Sequence, residues 1–232
     1  MEFLPNGYTL EIPSGSFPLS TDSMALAHFA VLPKNAKVLD LGSGCGTLGL
    51  LLCASDFGCH VTGVELAENA HLAALENIRR NQLTDRMKSI CADLRQIPSL
   101  FPAGSFSCIV SNPPYFSGGA SSRDLANARQ ERSCTLCDLM HSAEWALKYG
   151  GDFFLVHKPE RLAEIITTAA GCGMEAKRLC LLRHREDSPS ALILLQLRKG
   201  GKPGLKLEEI ALHDKTGIPT AAYRKIYHIE EA

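Results

Sequence analysis

The chain has 232 residues, enough for one large α/β domain, and its 45% apolar and 21% charged content is ordinary for a globular fold. A formal charge of −1 excludes the uniformly basic surface of a histone-like binder, though not a local basic patch. Nine cysteines without framework spacing, no signal peptide and no apolar run of membrane-spanning length predict a cytoplasmic protein with reduced thiols.

From Lys37 onward, strand and helix patterns alternate. Strands are expected at Lys37–Leu41, His60–Glu65, Met87–Cys91, Phe106–Ser111 and Asp152–His157. Between them helices are expected at Thr47 to about Phe57, Glu68–Asn81, Leu136–Lys148 and Arg161–Ala170. The first helix shows Leu48, Leu51 and Leu52 on one face, and the second turns Ala70, Ala73, Ala74 and Ile78 inward. Phe106–Ser111 is apolar on nearly every residue, which predicts a central strand. Met174–Arg183 and Ser190–Arg198 read as a hairpin at the sheet's edge, joined by a charged loop. Leu205–Leu212 adds an extended piece and Thr220–Tyr227 a closing helix. The pattern is α/β, a doubly wound, mostly parallel seven-stranded sheet with an antiparallel edge hairpin. It forms a single domain: residues 1–36 as an N-terminal extension, 37–198 as core and 199–232 as a C-terminal extension.

Chemistry concentrates at the carboxyl ends of the predicted strands, where ligand crevices open in such sheets. The first strand runs into Asp40-Leu41-Gly42-Ser43-Gly44-Cys45-Gly46, whose glycines allow a sharp turn and a close ligand approach. The next helix offers its unpaired amides to that ligand. Glu65, ending the second strand, is placed to accept both hydroxyls of a ribose. Residues 44–49 also fit GxGxxG, so a nicotinamide-dependent oxidoreductase competes at this point. The fourth strand ends in Asn112-Pro113-Pro114-Tyr115, and two consecutive prolines make a stiff loop that places an amide oxygen, a carbonyl and an aromatic ring beside the pocket. The oxidoreductase reading leaves that tetrapeptide unexplained.

These residues resemble a class I S-adenosylmethionine (SAM)-dependent methyltransferase with a Rossmann-like sheet. The tetrapeptide resembles that of amino-methyltransferases acting on adenine N6, cytosine N4 or glutamine amide nitrogen. The resemblance implies that Asp40, Gly42, Ser43, Gly44 and Gly46 embrace the methionine part of SAM, and that Glu65 and Leu66 hold its ribose side. Asp93 and Leu94 would meet its adenine, although Asp93 alone also reads as a helix cap or turn former. Asn112, Pro113, Pro114 and Tyr115 would grip and align the accepting nitrogen, with Asn112 also beside the cofactor. No metal is implied.

The chain is further similar to the bacterial tRNA adenine-N6-methyltransferase family acting beside the anticodon of a valine tRNA. The likeness runs through Leu19 to Ala27, Ala128-Arg129-Gln130-Glu131, His157 to Leu162 and Ala222 to Tyr227. It implies a tRNA or other RNA partner and places Thr21 and Asp22, with Ser20, at a helix start over the cofactor; capping explains these residues equally well. Acidic and aromatic features near the C-terminus are only partly kept, and a monomer is expected. A glutamine methyltransferase of translation release factors shares the tetrapeptide but usually carries a helical N-terminal domain, for which 36 residues leave little room.

Two regions are candidate RNA contacts. Arg123 and Arg129 lie in a Gly-Ser loop, with Asp124 and Glu131 as alternative partners. Arg183 and Arg185 belong to residues 176–206, where eight basic residues face only Glu186 and Asp187. Cys134 and Cys137 form a CxxC without a second ligand pair and read as small, half-buried residues. His157 reads as a polar strand end, and Trp145 as a helix-to-sheet anchor.

Overall fold

The structure is a computed structural model that describes residues 1–4, 7–13, 19–55, 58–113 and 135–229. Its first elements are β1 (Glu2–Phe3), β2 (Thr9–Leu10), α1 (Thr21–Phe29), β3 (Lys37–Leu41), α2 (Thr47–Ser55), β4 (His60–Glu65), α3 (Glu68–Arg80) and β5 (Met87–Cys91). A short α4 (Ile97–Leu100) leads to β6 (Phe106–Ser111), followed by α5 (Leu136–Ala146), β7 (Leu147–His157) and α6 (Leu162–Gly171). Then come β8 (Met174–Arg185), β9 (Ser190–Lys199), β10 (Lys206–His213) and α7 (Ala221–Tyr227).

Eight strands form the main sheet in the order β10-β8-β9-β7-β6-β3-β4-β5. Only β9 runs antiparallel to its neighbours; β10 pairs parallel with β8. The doubly wound, mostly parallel sheet and the β8–β9 hairpin agree with the sequence pattern. The extended piece near residues 205–212 is an eighth strand, so the hairpin lies one strand in from the edge. A two-stranded ribbon, β1–β2, has no counterpart in the sequence pattern because two-residue strands leave no periodicity to read.

Alternation within each strand builds two cores. Val38, Val110, Phe154 and Leu194 pack with α1, α2 and α7, while Leu39, Ile109, Phe153 and Leu195 pack with α4, α5 and α6. Strands buried on both faces must be apolar throughout, which is why β6 sits centrally between β7 and β3. Helix α2 differs from expectation: every residue from Leu48 to Ala54 is buried, because α1 covers the side turned from the sheet.

Two asparagines on α3 add a fixing that periodicity does not signal. Asn77, fully buried, accepts from the Glu11 amide through Oδ1 (2.8 Å) and donates to the Glu11 and Cys45 carbonyls (2.9 and 3.0 Å). One turn on, Asn81 accepts from the Thr9 amide and donates to the Thr9 carbonyl (2.8 and 2.7 Å). The side-chain amides thus pair with the N-terminal segment as a neighbouring strand would. Asn77→Ala strands the Cys45 carbonyl and frees the segment; urea denaturation should show a loss of about 2 kcal/mol. A negligible change would mean that the segment contributes nothing to the fold.

Candidate active site

Parallel register brings several of the candidate residues together. Asp40 pairs with Gly63 and Val110, and Leu41 with Val64, so β3, β4 and β6 end side by side. The chain leaving β3 then folds over β4: the amides of Gly42 and Ser43 donate to the Val64 carbonyl (2.9 and 3.2 Å). Gly44 has φ +55°, left-handed backbone that favours glycine. A side chain at Gly63 would meet Ser43 Oγ at 2.6 Å, so a bare strand position is needed for the loop to lie so close.

Glu65 locks this arrangement. Its Oε2 accepts from the Gly44 amide and its Oε1 from the Ala67 amide, each at 2.8 Å. A carboxylate offers about four acceptor positions, so both oxygens keep capacity for two ligand hydroxyls. Leu66, 53% exposed, stands beside it as an apolar flank.

Asp40 is completely buried, and neither of its oxygens has a hydrogen-bond partner among the described residues. Burial, then the charge of Glu65, pushes its carboxyl up to about 8, with the Gly49 amide acting against the shift. Ser43 Oγ is likewise buried without a partner among the described residues. Polar atoms hidden and unsatisfied beside a glycine loop mark a candidate ligand site.

Asp93 follows β5 and closes a capping box with Gln96, accepting from the Arg95 amide (2.9 Å). Its carboxylate is also ion-paired with the Arg95 guanidinium, whose hydrogen bonds hold it below the usual carboxylate range. The capping role read from sequence is therefore present. Leu94 opens this turn, half-buried, and its carbonyl accepts from Ser142 Oγ (2.9 Å).

Asn112 and Pro113 continue β6 past Ser111, and Pro113 is buried. Asn112 Nδ2 donates to Ser23 Oγ on α1 (3.1 Å). Thr21 and Asp22 open α1. Ser20 holds the cap position without a side-chain cap bond, and Thr21 Oγ1 shares a hydrogen bond with Tyr227 Oη of α7 (2.7 Å). His157 ends β7 two residues beyond Leu155, which pairs with Ser111. It is more enclosed than a strand-end polar residue: it is 1% exposed, Nδ1 accepts from the Lys158 amide (2.8 Å), and burial lowers it to about 4.

Pro114, Tyr115, Arg123, Arg129 and Cys134 lie outside the described residues. Arg183 is ion-paired with Glu209 (3.4 Å) and Arg185 with Asp187 (2.6 Å). Charges along residues 176–206 alone omit Glu208 and Glu209, which β10 brings alongside β8. Cys137 is exposed, 3.5 Å from His141 Nδ1. Trp145 is partly exposed and ties α5 to the end of α4 by donating to the Phe101 carbonyl (3.0 Å). A cavity of about 250 Å³ lined by His28, Leu52, Ser55 and His228 lies at the ends of α1 and α2 remote from the loop, apart from this site.

Among solved structures, a predicted O-methyltransferase from Agrobacterium tumefaciens is 21% identical with a TM-score of 0.75, covering 89% of this chain and 95% of its own. The chain thus has the Rossmann-like fold of methyltransferases. It belongs to the methyltransferase small domain family, whose model matches residues 21–167. A relative from Photobacterium profundum is 28% identical over 201 residues, 84% of each chain, and one from Vibrio campbellii is 30% identical over 186 residues, 78% of this chain and 76% of its own. Both relatives carry the name tRNA1(Val) (adenine(37)-N6)-methyltransferase.

A carboxyl that holds its proton to about pH 8 when folded but releases it near 3.8 when unfolded stabilises fully below pH 3.8, and this contribution is lost as pH rises through 8. Asp40→Asn should therefore raise the ligand-free melting temperature at pH 8 and leave it little changed at pH 4. Equal effects at both pH values in a fluorimetric melt would contradict an unpaired carboxylate.

Proposed function

We propose that the protein transfers a methyl group from SAM to the exocyclic N6 amine of an adenine in tRNA. The observation that carries this is the position of Asn112. It leaves the central strand beside the glycine loop, with its amide nitrogen committed to Ser23 and no described residue donating to Oδ1. The names of the relatives favour adenine in a valine tRNA as the acceptor over a protein glutamine.

The residues present fit SAM. Asp40 and Ser43 hold unpaired oxygens beside the loop, where a cationic amine would relieve the burial of the carboxyl. Glu65 would take the ribose hydroxyls, with Leu66 as the apolar flank; Asp93 and Leu94 would border the adenine. When bound, SAM supplies an electrophilic methyl group on a sulfonium centre. Around the acceptor, Asn112 Oδ1 and the Pro113 carbonyl would each accept one hydrogen of the amine. An adenine N6 lone pair is delocalised into its ring, so these acceptors draw the nitrogen toward tetrahedral geometry. They stabilise most where positive charge develops on the nitrogen. Tyr115 would stack on the base and set the line of approach. A base within folded RNA must first leave its stack.

Asn112→Ala should keep SAM affinity near wild type by calorimetry while slowing methylation of an unmodified valine tRNA transcript about 100-fold or more. Parallel loss of both would assign Asn112 to the cofactor or the fold instead.

An RNA track along the end of β8 is part of the same reading, with Arg123 and Arg129 as further contacts. Arg183 and Arg185 stand at the carboxyl end of a strand parallel to β7 and β10, on the edge of the sheet where Asn112 lies. Their acidic partners are on exposed or half-exposed surface, where such pairs are weak and exchange readily for phosphate. Replacing both with Glu should weaken tRNA binding and flatten its salt dependence, by about one unit of slope for each phosphate no longer held. An unchanged slope would remove this face from the interface.

A further inference from the structure

Ser23 is a buried hydroxyl on α1, beside a run of apolar residues, Met24 to Ala27, that pack into the core. Its partner, Asn112, is 89 residues away in sequence and belongs to the loop that grips the acceptor. The contact joins an N-terminal helix to the end of the central strand.

An asparagine amide is nearly symmetric in shape and opposite in chemistry at its two ends. Its terminal torsion is broad, so packing alone discriminates poorly between them. With the oxygen toward the acceptor, Asn112 accepts an amine hydrogen. With the nitrogen there, it places N–H against N–H and opposes methylation. In the structure the amide presents Nδ2 to Ser23 Oγ at 3.1 Å, so the hydroxyl serves as the acceptor. A hydroxyl engaged in this way holds the nitrogen end of the amide.

We infer that Ser23 is a positioning residue for methyl transfer: by accepting from Asn112 Nδ2, it holds the amide with Oδ1 turned away from α1 toward the incoming amine. Helix α1 is itself held at its first turn, where Thr21 bonds to Tyr227 of α7. The acceptor grip is therefore set from outside the central strands. Asn112 touches the substrate and Ser23 does not, so removing the hydroxyl lowers the productive fraction of amide orientations without touching the cofactor site.

This inference rests on the amine-methylation reading, and the experiment separates the two. Single-turnover methylation of an unmodified valine tRNA transcript, scored as N6-methyladenosine by nucleoside mass spectrometry, is measured for wild type, Ser23→Ala, Ser23→Thr, Asn112→Ala and the Ser23→Ala/Asn112→Ala pair. Ser23→Ala should slow the step about 3- to 10-fold, the bias one neutral hydrogen bond supports, with SAM affinity unchanged. Ser23→Thr restores a hydroxyl and should recover most of the rate. In the Asn112→Ala background the Ser23 change should cost nothing further, which a general loss of packing would not produce. A wild-type rate for Ser23→Ala, or the same loss in both backgrounds, overturns the inference while leaving the function standing. A wild-type rate for Asn112→Ala overturns the acceptor role of Asn112, and this inference with it, whereas the absence of N6-methyladenosine with the wild-type protein overturns the function itself.

Discussion

One carboxylate organises the ligand end of the sheet. Glu65 accepts from the Gly44 and Ala67 amides with its two oxygens, and so ties the loop leaving β3 to the chain leaving β4. Bonds to a charged acceptor are about twice as strong as neutral ones; the one from Ala67 steadies the carboxylate, and the one from Gly44 then holds the loop. The same placement brings negative charge close to Asp40, sealed at the end of β3. Burial is the larger cause of the raised Asp40 carboxyl, and the charge of Glu65 adds to it. A buried acid without a partner among the described residues lowers stability, and violations of this kind tend to fall at functional sites.

Support for the site comes from segments outside the alternating core. Helix α1 reaches Asn112 through Ser23 and reaches α7 through Thr21. The segment at residues 9–11 is clasped by Asn77 and Asn81, and Asn77 also holds the Cys45 carbonyl within the glycine loop. Residues 9–11 and 20–23, together with Tyr227, therefore bear on the carboxyl ends of strands in the middle of the chain. These contacts fix in place what the strands only bring near.

Much of this is legible in the sequence because burial on two faces writes itself as continuous apolar runs. Strands β3, β4, β5 and β6 begin and end where the pattern places them, and the glycine loop, Glu65 and Asn112 converge as their positions at strand ends require. Long-range polar pairing is not legible. Asn77 and Asn81 lie one helical turn apart and look like solvent-facing residues until the segment they bind is seen. Ser23 resembles any small helical residue without its partner 89 positions on. The charge of residues 176–206 misleads for a related reason: Glu208 and Glu209 become neighbours of Arg178 and Arg183 only when β10 docks. The enclosure of His157 likewise depends on elements packed from elsewhere, and its own short stretch of sequence carries no sign of it.

The placement of β10 bears on how the chain reaches this state. It is the last strand in sequence and the outermost in the sheet, and it covers β8, whose Leu179, Cys180 and Leu182 are buried. During synthesis β8 and β9 can form their hairpin before β10 has emerged, and β8 then shows a bare hydrogen-bonding edge of the kind that recruits other chains. The finished edge instead carries Lys206, Glu208 and Glu209, charges that discourage such growth. Loss of the chain after residues 200–204 would keep most of both cores and yet expose the β8 edge again.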